Sequence, residues 1–236
     1  MVWQVLREAI GGGSGGLDVL DVGGGTGGFA VPLAALGHQV TVVDPSPDAL
    51  ASLQRRAGEA GVEVRAIQGD AAGLLDVVAA DSADLVLCHG VLEQVDDVTL
   101  ALLSLVEVLR ADAKLSLLVA HRNAVVLARA VAGRFAEARH ALEDPDGRWG
   151  PADPLPRRFT EAQLRALLAD VGLAVAAIHG VRTVADLVPG AVVDQEPGAA
   201  EALVELEMAT AHRPDFRAAA TQLHLLATRT GPADTT

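Results

Sequence analysis

A glycine-rich segment near the amino terminus constrains the fold of this chain more than any other feature. The sequence LDVGGGTGG (20–28) follows a short apolar run and precedes a helical pattern. Glycine lets a backbone turn sharply and approach a ligand where a strand leads into a helix N-terminus. The segment therefore predicts a ligand-binding loop between a buried strand and a helix.

Apolar runs of strand length alternate with longer helical patterns along the chain. We predict strands at residues 17–22, 39–43, 62–67, 83–87, 114–120, 173–179 and 221–228. We predict helices at residues 26–36, 45–60, 98–110, 123–141, 160–171 and 199–211. This alternation implies βαβ units and a parallel sheet covered on both faces, so the fold class is α/β. The last strand is expected to pair with the sixth through a return connection.

Composition narrows the class of protein. Of the 236 residues, 50% are hydrophobic and 21% are charged, a balance typical of a globular chain. Every apolar run is shorter than the roughly 18 residues of a membrane span, and residues 1–10 do not have the pattern of a secretory signal. The single cysteine, Cys88, excludes an internal disulfide. We expect a soluble, cytoplasmic protein without a membrane partner.

The charge distribution bears on possible partners. The net charge of −13 argues against a protein that coats nucleic acid, because such binding depends on Lys and Arg. Residues 121–165, however, contain eight arginines and six acidic residues, together with three of the six aromatic residues. A solvated helix and loop would have the same composition. We predict that an insertion at about 121–160 forms a mobile lid, within which 144–158 is a loop, and that the tail 231–236 is disordered.

The glycine loop fits two sequence templates that differ in the ligand they serve. Gly23, Gly25 and Gly28 match the dinucleotide pattern G-x-G-x-x-G, whereas Asp21, Gly23, Gly25 and Gly27 match D-x-G-x-G-x-G, the loop of S-adenosylmethionine-dependent methyltransferases. A carboxylate at Asp21 would repel a pyrophosphate but attract the methionyl ammonium group of S-adenosylmethionine. The sequence therefore favours the methyl donor over NAD.

Further acidic residues follow the next two strands. Asp44 closes the second strand, where its carboxylate could accept hydrogen bonds from both ribose hydroxyls. Asp70 follows the third strand and could bind the adenine amino group, with the backbone of Ala71 at a ring nitrogen. Asp70 could instead cap the helix that follows it. Cys88 and His89 leave the fourth strand at the cleft where open α/β sheets bind ligands.

Four segments resemble one family. LDVGGGTGG, LCHGVLEQVDD (87–97), VAGRF (131–135) and HGVRTVADLVP (179–189) are similar to the tRNA 5-carboxymethoxyuridine methyltransferases, the CmoM/SmtA family, over about residues 2–229. The resemblance implies a single Rossmann-like class I methyltransferase domain over 1–236. Its sheet would be mostly parallel and seven-stranded with an antiparallel last strand, and helices would cover both faces.

The resemblance also implies roles for individual residues, with S-adenosylmethionine as cofactor. Together with the motifs above, it gives these donor-binding candidates: Asp21, Gly23, Gly25, Gly27, Asp44, Pro45, Asp70, Ala71, Cys88 and Glu93. His121, Arg122, Asn123 and Arg182 would bind the acceptor, and His89 and Arg182 would be catalytic. No metal is expected, because no set of His, Asp and Glu has metal-ligand spacing.

Methyl transfer to a carboxylate needs alignment more than a base. A carboxylate is already ionised at neutral pH, and the fork of Arg182 could hold it bidentately and aim one oxygen at the methyl group. The acceptor would be a small molecule or a modified nucleoside, with the tRNA wobble uridine as one hypothesis.

Structural explanations exist for the same residues. His89 could be a satisfied histidine at a strand end, Glu93 a first-turn acid favoured by the helix dipole, and Arg182 a surface ion pair with Asp186. Two other functions also remain at this point. One is a non-catalytic module that binds S-adenosylmethionine; the other is an NAD-linked oxidoreductase, disfavoured by Asp21.

Overall fold

The computed structural model of the chain describes residues 1–11 and 16–229, apart from the side chains of residues 194 and 195. The strands are β1 (Asp18–Val22), β2 (Gln39–Asp44), β3 (Arg65–Gln68), β4 (Ala83–His89), β5 (Leu109–Ala120), β6 (Leu173–Val181) and β7 (Gln222–Arg229). The helices are α1 (Val2–Ile10), α2 (Ala30–Ala35), α3 (Pro47–Ala60), α4 (Val98–Val108), α5 (Arg122–Val131), α6 (Phe135–Glu143), α7 (Glu161–Asp170), α8 (Gly190–Gln195), α9 (Ala199–Ala211) and α10 (Pro214–Arg217). Among these helices, none has the length and apolar character required to cross a bilayer.

The strands form one seven-stranded sheet in the order β3-β2-β1-β4-β5-β7-β6. Neighbours from β3 to β5 are parallel, whereas β7 is antiparallel to both β5 and β6. The predicted α/β class, the seven strands and the antiparallel last strand are confirmed. Because β5 and β6 each run opposite to β7, β1 to β6 all end at one edge of the sheet, which we call the carboxyl edge.

Alternation along each strand sends side chains to two differently packed faces. On one face, Leu115 and Leu117 of β5 pack in the larger core beneath α4 and α7. On the other face, Val40 and Val42 of β2 pack with Leu6 of α1 and with α2 and α3. We call these the α4 face and the α1 face. Helices cover both faces, as a parallel sheet requires.

Three predicted helix boundaries are wrong, two of them because of a glycine with positive φ and one because of strand pairing. The helix predicted at 26–36 begins at Ala30, because Gly27 has φ +80° and cannot continue a right-handed helix. The helix predicted at 123–141 is two helices, α5 and α6, separated at Gly133 with φ +72°. The helix predicted at 98–110 ends at Val108, and β5 starts at once. Tertiary pairing with β4 overrides the helical pattern there.

The insertion at 121–160 leaves the sheet after β5 and returns beside its starting point. Arg122 and Phe159 are joined through the backbone, and the Phe159 amide donates to the Ala120 carbonyl. Within the loop, Arg158 and Asp153 form a bidentate ion pair with nitrogen-to-oxygen distances of 2.7 and 3.0 Å. The base of the insertion is thus fixed by backbone pairing and a mostly buried ion pair. Movement of the insertion as a lid stays a prediction, and the tail 231–236 lies outside the described residues.

The predicted start of α7 provides a test of local stability. Thr160 Oγ1 accepts a hydrogen bond from the Gln163 amide at 3.2 Å, and the Gln163 side chain accepts one from the Thr160 amide. This is the capping box expected from the sequence. Thr160→Ala should lower the free energy of unfolding by about 1 kcal/mol because one amide loses its partner. Urea denaturation measures this difference.

Thr160→Ser is the matched control, since it keeps the hydroxyl group and should remain close to the wild-type stability. Equal destabilisation by the alanine and serine variants would show that the methyl group, and not the cap, stabilises the helix start.

Candidate functional site

The glycine loop after β1 adopts the conformation that its glycines permit. Gly23, Gly25 and Gly27 have φ of +70°, +55° and +80°, which residues with a side chain rarely adopt. These three are the glycines of the D-x-G-x-G-x-G template. Gly28, the third glycine of the dinucleotide template, does not share this conformation, and a Cβ there would meet no atom within 4 Å. The backbone therefore agrees with the methyl-donor template.

The loop is also packed too tightly for side chains. A Cβ at Gly27 would lie 2.3 Å from Leu53 Cδ1 of α3, and one at Gly23 would lie 2.3 Å from Val91 Cγ2. Both distances are far below a normal contact. The loop is therefore held between α3 and the segment that follows β4.

Asp21 lies beneath the loop as an incompletely satisfied carboxyl group. Only 3% of the residue is exposed, and Oδ2 has no hydrogen-bond partner among the described residues. Burial, with a smaller contribution from the Asp44 carboxylate, raises the pKa of Asp21 to about 7. A buried carboxylate is stabilised by a cation. The methionyl ammonium group of S-adenosylmethionine has the charge and the donors to fill this role, so the residues fit the expected cofactor.

Asp44 ends β2 as predicted and connects the loop to that strand. Its Oδ2 accepts a hydrogen bond from the Gly25 amide at 2.8 Å, and its Oδ1 accepts one from the Ser46 amide at 2.9 Å. The carboxylate is thus oriented by two backbone donors at the carboxyl edge. Pro45, next to it, is exposed.

Asp70 and Ala71 follow β3 at the same edge. Asp70 Oδ1 accepts hydrogen bonds from the amides of Ala72 and Gly73 at 3.0 and 2.8 Å. This is the capping role that we set beside the adenine role, and it engages only one of the two carboxylate oxygens. Asp70 is exposed and Ala71 is buried, so Ala71 could meet a ligand only through its backbone.

Cys88 and His89 end β4 on opposite faces of the sheet. Cys88 is fully buried in the core on the α4 face, and burial raises the pKa of its thiol above the usual range. Its side chain is therefore inert, and only its backbone could contact a ligand. His89 lies on the α1 face, where burial lowers its pKa to about 4. Its Nε2 lies 2.9 Å from Ser116 Oγ, while its Nδ1 is buried without a partner among the described residues.

Glu93 joins the segment after β4 to the end of β5. Its Oε1 accepts a hydrogen bond from the Ala120 amide at 2.6 Å. Burial raises the pKa of Glu93, and Oε2 has no partner within the described ranges. Glu93 lies in a turn, and α4 begins only at Val98 with Asp97 as its cap, so the helix-start role we considered is wrong and the structure gives Glu93 a tertiary contact instead.

The three residues predicted to bind the acceptor after β5 make structural contacts. His121 Nδ1 lies 2.9 Å from the Ala220 carbonyl, and Asn123 donates to the Ala218 carbonyl at 2.9 Å. Arg122 donates to the Pro145 carbonyl in the insertion. These contacts fix the start of the insertion against the segment before β7. A role toward the acceptor stays a prediction for all three.

Arg182 follows β6 at the carboxyl edge, with φ +57°. Its Nε donates to Asp186 Oδ1 at 2.8 Å, so the ion pair that we weighed as an alternative is present. Thr221 donates to the other Asp186 oxygen at 2.6 Å, and its amide donates to the Arg182 carbonyl. The Arg182 side chain remains 61% exposed, which leaves it accessible to an acceptor.

Unpartnered polar atoms single out the carboxyl edge as the site. In the part of the chain that the structure describes, seven buried side-chain atoms have no hydrogen bond, but one of them, Glu137 Oε2, lies 3.0 Å from Arg129 Nη1 in an ion pair. The other six belong to Asp21, His89, Glu93, Arg122, Arg148 and Thr183. Of these, Asp21, His89, Glu93 and Thr183 lie in or after β1, β4 and β6 at this edge, and Arg122 and Arg148 lie in the insertion. Because unpaired buried groups are costly, their concentration indicates a place where a ligand completes the hydrogen bonding.

A cavity of about 820 Å³ lies at the opposite edge, between the amino ends of β1, β2 and β4. Asp18, Gln39 and Ser82 line it. None of the unpartnered buried atoms belongs to its lining residues. We therefore assign the functional site to the carboxyl edge because of its chemistry, and not to this cavity.

The sequence analysis missed a set of polar residues beside His89. Ser116 and His224 are fully buried on the α1 face, and His179 is 4% exposed. The signal was present in the alternation of β5 and β7, where polar residues occupy the positions between leucines. The sequence does not show that β5 and β7 are neighbours, so it could not predict that these residues lie together.

The raised pKa of Asp21 predicts that ligand binding depends on pH. An ammonium group requires the ionised carboxylate, which predominates above about pH 7 in the free protein. The affinity for S-adenosylhomocysteine should therefore be about 10-fold weaker at pH 6 than at pH 8. By linkage, protonated Asp21 stabilises the free fold at low pH, and this contribution is lost as the pH rises through 7. Isothermal titration calorimetry measures the affinities.

The Asp21→Asn variant should bind S-adenosylhomocysteine weakly at both pH values, so its affinity should not depend on pH. Asp48→Asn, which changes an exposed carboxylate on α3, should leave that dependence unchanged. Equal wild-type affinities at pH 6 and pH 8 would exclude the ammonium role of Asp21.

Comparisons with known proteins identify the family of this chain. Residues 20–117 match the family model "Methyltransferase domain". The chain is 31% identical to the tRNA 5-carboxymethoxyuridine methyltransferase of Escherichia coli K12, covering 88% of this chain and 78% of that protein. It is 32% identical to the ubiquinone biosynthesis O-methyltransferase of Azorhizobium caulinodans, covering 70% of this chain and 62% of that protein. The chain thus spans less than two thirds of the latter relative.

Solved structures share the fold at low identity. The magnesium protoporphyrin IX methyltransferase of Synechocystis, with bound S-adenosylhomocysteine, has a TM-score of 0.64 at 19% identity. The match covers 97% of this chain and 82% of that chain. The 1,6-didemethyltoxoflavin-N1-methyltransferase of Burkholderia thailandensis has a TM-score of 0.59 at 22% identity, and the match covers 98% of this chain and 77% of that chain. These structures show the shared fold, while the family model and the relative at 31% identity, together with the glycine loop and Asp21, support S-adenosylmethionine as the cofactor. The chain belongs to the class I S-adenosylmethionine-dependent methyltransferases and resembles the tRNA 5-carboxymethoxyuridine methyltransferases.

Proposed function

We propose that this methyltransferase transfers the methyl group to a carboxylate oxygen, and that the carboxylate belongs to a modified uridine at the wobble position of tRNA. The observation that carries the proposal is the similarity to a tRNA 5-carboxymethoxyuridine methyltransferase across 88% of the chain. That relative's name describes a uridine that bears a carboxymethoxy group, whose carboxylate is the nucleophile proposed here.

The residues at the carboxyl edge support donor binding in a defined orientation. Asp21 would bind the ammonium group, and the amides of the glycine loop would lie against the donor. Asp44, held by Gly25 and Ser46, would accept from the ribose. When bound, S-adenosylmethionine supplies a methyl group on a positively charged sulfur, which leaves as a neutral thioether. The protein's contribution is to align the acceptor oxygen with that methyl group.

Arg182 is the proposed acceptor-binding group at the end of β6. Asp186 holds it from one side, and its guanidinium is exposed on the other. A planar guanidinium donates two parallel hydrogen bonds to a carboxylate, which fixes the plane of the acceptor. In this proposal Asp186 orients Arg182, so the ion pair and the acceptor role are compatible.

The insertion supports a nucleic-acid substrate better than the rest of the chain does. The whole chain carries a net charge of −13, whereas residues 121–165 contain more arginines than acidic residues. Val131 and Phe135 at its tip are exposed, beside Arg134. We propose that this insertion closes over the acceptor and contacts the anticodon loop.

A second candidate is a small-molecule hydroxyl group. Two observations favour it: the similarity to ubiquinone biosynthesis O-methyltransferases, and the unpartnered Nδ1 of His89. A hydroxyl nucleophile has to lose a proton on methylation, and a neutral imidazole beside the donor could accept it. The two candidates differ in the bond formed, which is an ester in the first and an ether in the second.

The chemical stability of the product separates the candidates. The purified chain is incubated with S-adenosylmethionine labelled in the methyl group and with either of two acceptors. One acceptor is tRNA that carries 5-carboxymethoxyuridine without its methyl ester, and the other is a catechol. The proposal expects label on the tRNA that mild alkali releases as methanol. Label only on the catechol, stable to alkali, would contradict the carboxylate proposal and support the second candidate.

Arg182 provides the sharpest mutational prediction. Arg182→Ala should lower turnover with the carboxylate acceptor by roughly 30-fold to 1,000-fold, because a bidentate charge-assisted contact is lost. The affinity for S-adenosylhomocysteine should change little. Arg182→Lys should restore little activity, since an ammonium group cannot reproduce the fork. Steady-state kinetics and calorimetry measure the two effects.

Arg55→Ala is the matched control, because Arg55 forms a similar exposed ion pair with Glu59 four residues further along α3. It should leave turnover near the wild-type value. If the Arg182→Ala variant has wild-type turnover, the Arg182–Asp186 contact is only a surface ion pair and Arg182 does not bind the acceptor.

A further inference from the structure

The α1 face carries a chain of hydrogen-bonded side chains, of which the roles above use only His89. His89 Nε2 lies 2.9 Å from Ser116 Oγ, which lies 2.8 Å from His224 Nε2. His224 Nδ1 in turn lies 3.4 Å from His179 Nδ1. We call these four residues the histidine chain. It runs from the end of β4 across β5 and β7 to β6.

Sheet register explains why the four side chains meet. His89 pairs with Leu118 of β5, and Leu118 pairs with His224 of β7, which pairs with His179 of β6. The three histidines therefore lie in one row across the sheet. Ser116 is two residues before Leu118 and points to the same face, so its hydroxyl fits between the rings of His89 and His224.

Ser116 couples the protonation of its two neighbours. A serine hydroxyl has one hydrogen, so Ser116 donates to one histidine and accepts from the other. Burial lowers the pKa of His89 to about 4 and that of His224 to about 3, so both rings are neutral at pH 7. One Nε2 atom then carries a hydrogen and the other does not. His89 and His224 must be opposite tautomers.

The charges at the two ends favour one of the two possible arrangements. In the register of β1 and β4, Asp21 pairs with Leu87, which points to the same face as His89 two residues further on, so the Asp21 carboxyl group lies on the His89 side of the sheet. At the other end, the His212 ring lies 4.7 Å from the His179 ring, and burial, His212 and Arg217 all lower the pKa of His179. A chain whose donors point from His179 toward His89 places its positive end beside Asp21. In this arrangement His89 carries its hydrogen on Nδ1.

His89 Nδ1 is the end of the chain that still lacks a partner. The atom is buried and has no hydrogen bond within the described part of the structure. The ring is held by Phe29, which packs edge-on against it with a centroid distance of 4.8 Å. A buried N–H without an acceptor is costly, so an oxygen of a ligand at this position would be stabilising.

We propose that Ser116 and His224 are positioning residues that hold His89 in the tautomer with hydrogen on Nδ1, so that His89 donates a hydrogen bond to the carboxylate of the acceptor. This inference rests on the proposed function, since a carboxylate acceptor is what an N–H donor recognises. A hydroxyl acceptor that loses its proton to His89 would need the opposite tautomer. In this proposal, the histidine chain helps to determine which class of acceptor the enzyme takes.

The tautomers can be measured without any acceptor. Nitrogen-15 correlation spectra of the histidine rings, recorded on the full chain with S-adenosylhomocysteine at pH 7, distinguish hydrogen on Nδ1 from hydrogen on Nε2. We expect hydrogen on Nδ1 in His89 and on Nε2 in His224. In Ser116→Ala we expect His89 to become a mixture of tautomers, whereas Ser82→Ala, which removes a hydroxyl at the opposite edge, should leave the pattern unchanged. The reversed pair, equal tautomers or a charged ring would overturn the proposal.

A double-mutant cycle tests whether Ser116 acts through His89. With tRNA carrying 5-carboxymethoxyuridine, Ser116→Ala should raise the acceptor KM roughly 5- to 10-fold, with the affinity for S-adenosylhomocysteine unchanged. His89→Asn places an amide donor near the position of Nδ1 without contact to Ser116. In that background Ser116→Ala should change the KM by less than about twofold. An equal effect in both backgrounds would mean that Ser116 has only a structural role and would overturn the proposal.

The two measurements separate the inference from the proposed function. Opposite tautomers that respond to Ser116→Ala, together with an alkali-stable product from catechol, would overturn the carboxylate as acceptor while supporting the coupling within the histidine chain. An alkali-labile tRNA product with tautomers that ignore Ser116→Ala would support the proposed function and overturn the positioning role.

Discussion

The parallel pairing of β1 with β2 and β4 is the constraint on which the rest of the structure depends. Parallel neighbours cannot be joined by a tight turn, so α2 connects β1 to β2, α3 connects β2 to β3, and the parallel strands all end at the same edge. Residues far apart in sequence, such as Asp21 and His89, are thereby brought to one edge of the sheet. The glycine loop, the acidic strand ends and the insertion all derive their relation to one another from this arrangement.

The carboxyl edge combines a rigid backbone with incompletely satisfied side chains. Asp44 fixes the glycine loop through the Gly25 amide, and Glu93 fixes the end of β5 through the Ala120 amide. In each case one group orders the backbone, while other polar atoms nearby remain without partners. Leaving such groups buried costs stability, which the two large hydrophobic cores on either face offset. Ligand binding would complete the hydrogen bonding that folding leaves open.

The two faces of β5 and β7 show how one sheet serves packing and chemistry at once. Toward α4 the side chains are leucines and other apolar residues that close-pack in the core. Toward α1 the intervening positions hold Ser116 and His224, whose burial is tolerated because they bind each other. Strand alternation alone separates the two roles, so the polar residues do not interrupt the core. In the role we propose, the direction of their hydrogen bonds sets the tautomer of His89 and so bears on the acceptor.

Much of the architecture is determined locally and could be predicted from the sequence. The alternation of apolar runs and helical patterns specified the α/β class, all seven strands and the capping box at Thr160. The glycine loop and Asp21 predicted the type of methyl donor. Glycine permits the positive φ values of the loop, and the carboxylate of Asp21 attracts a positively charged ligand group. Errors fell where local signals were weak or overridden, as at Gly133, where a single glycine divides a helical pattern, and at Leu109, where pairing with β4 begins a strand.

Only the tertiary structure decided which distant groups meet. The order β5-β7-β6 placed His224 beside Ser116 and His179, and no local pattern encodes that neighbourhood. The tertiary structure likewise paired Glu93 with the Ala120 amide. Burial in the folded sheet also raised the pKa of Asp21. Periodicity and glycine conformation depend on residues close along the chain, so the sequence determines them directly. Burial, tautomer coupling and pKa depend on neighbours that only the folded sheet supplies.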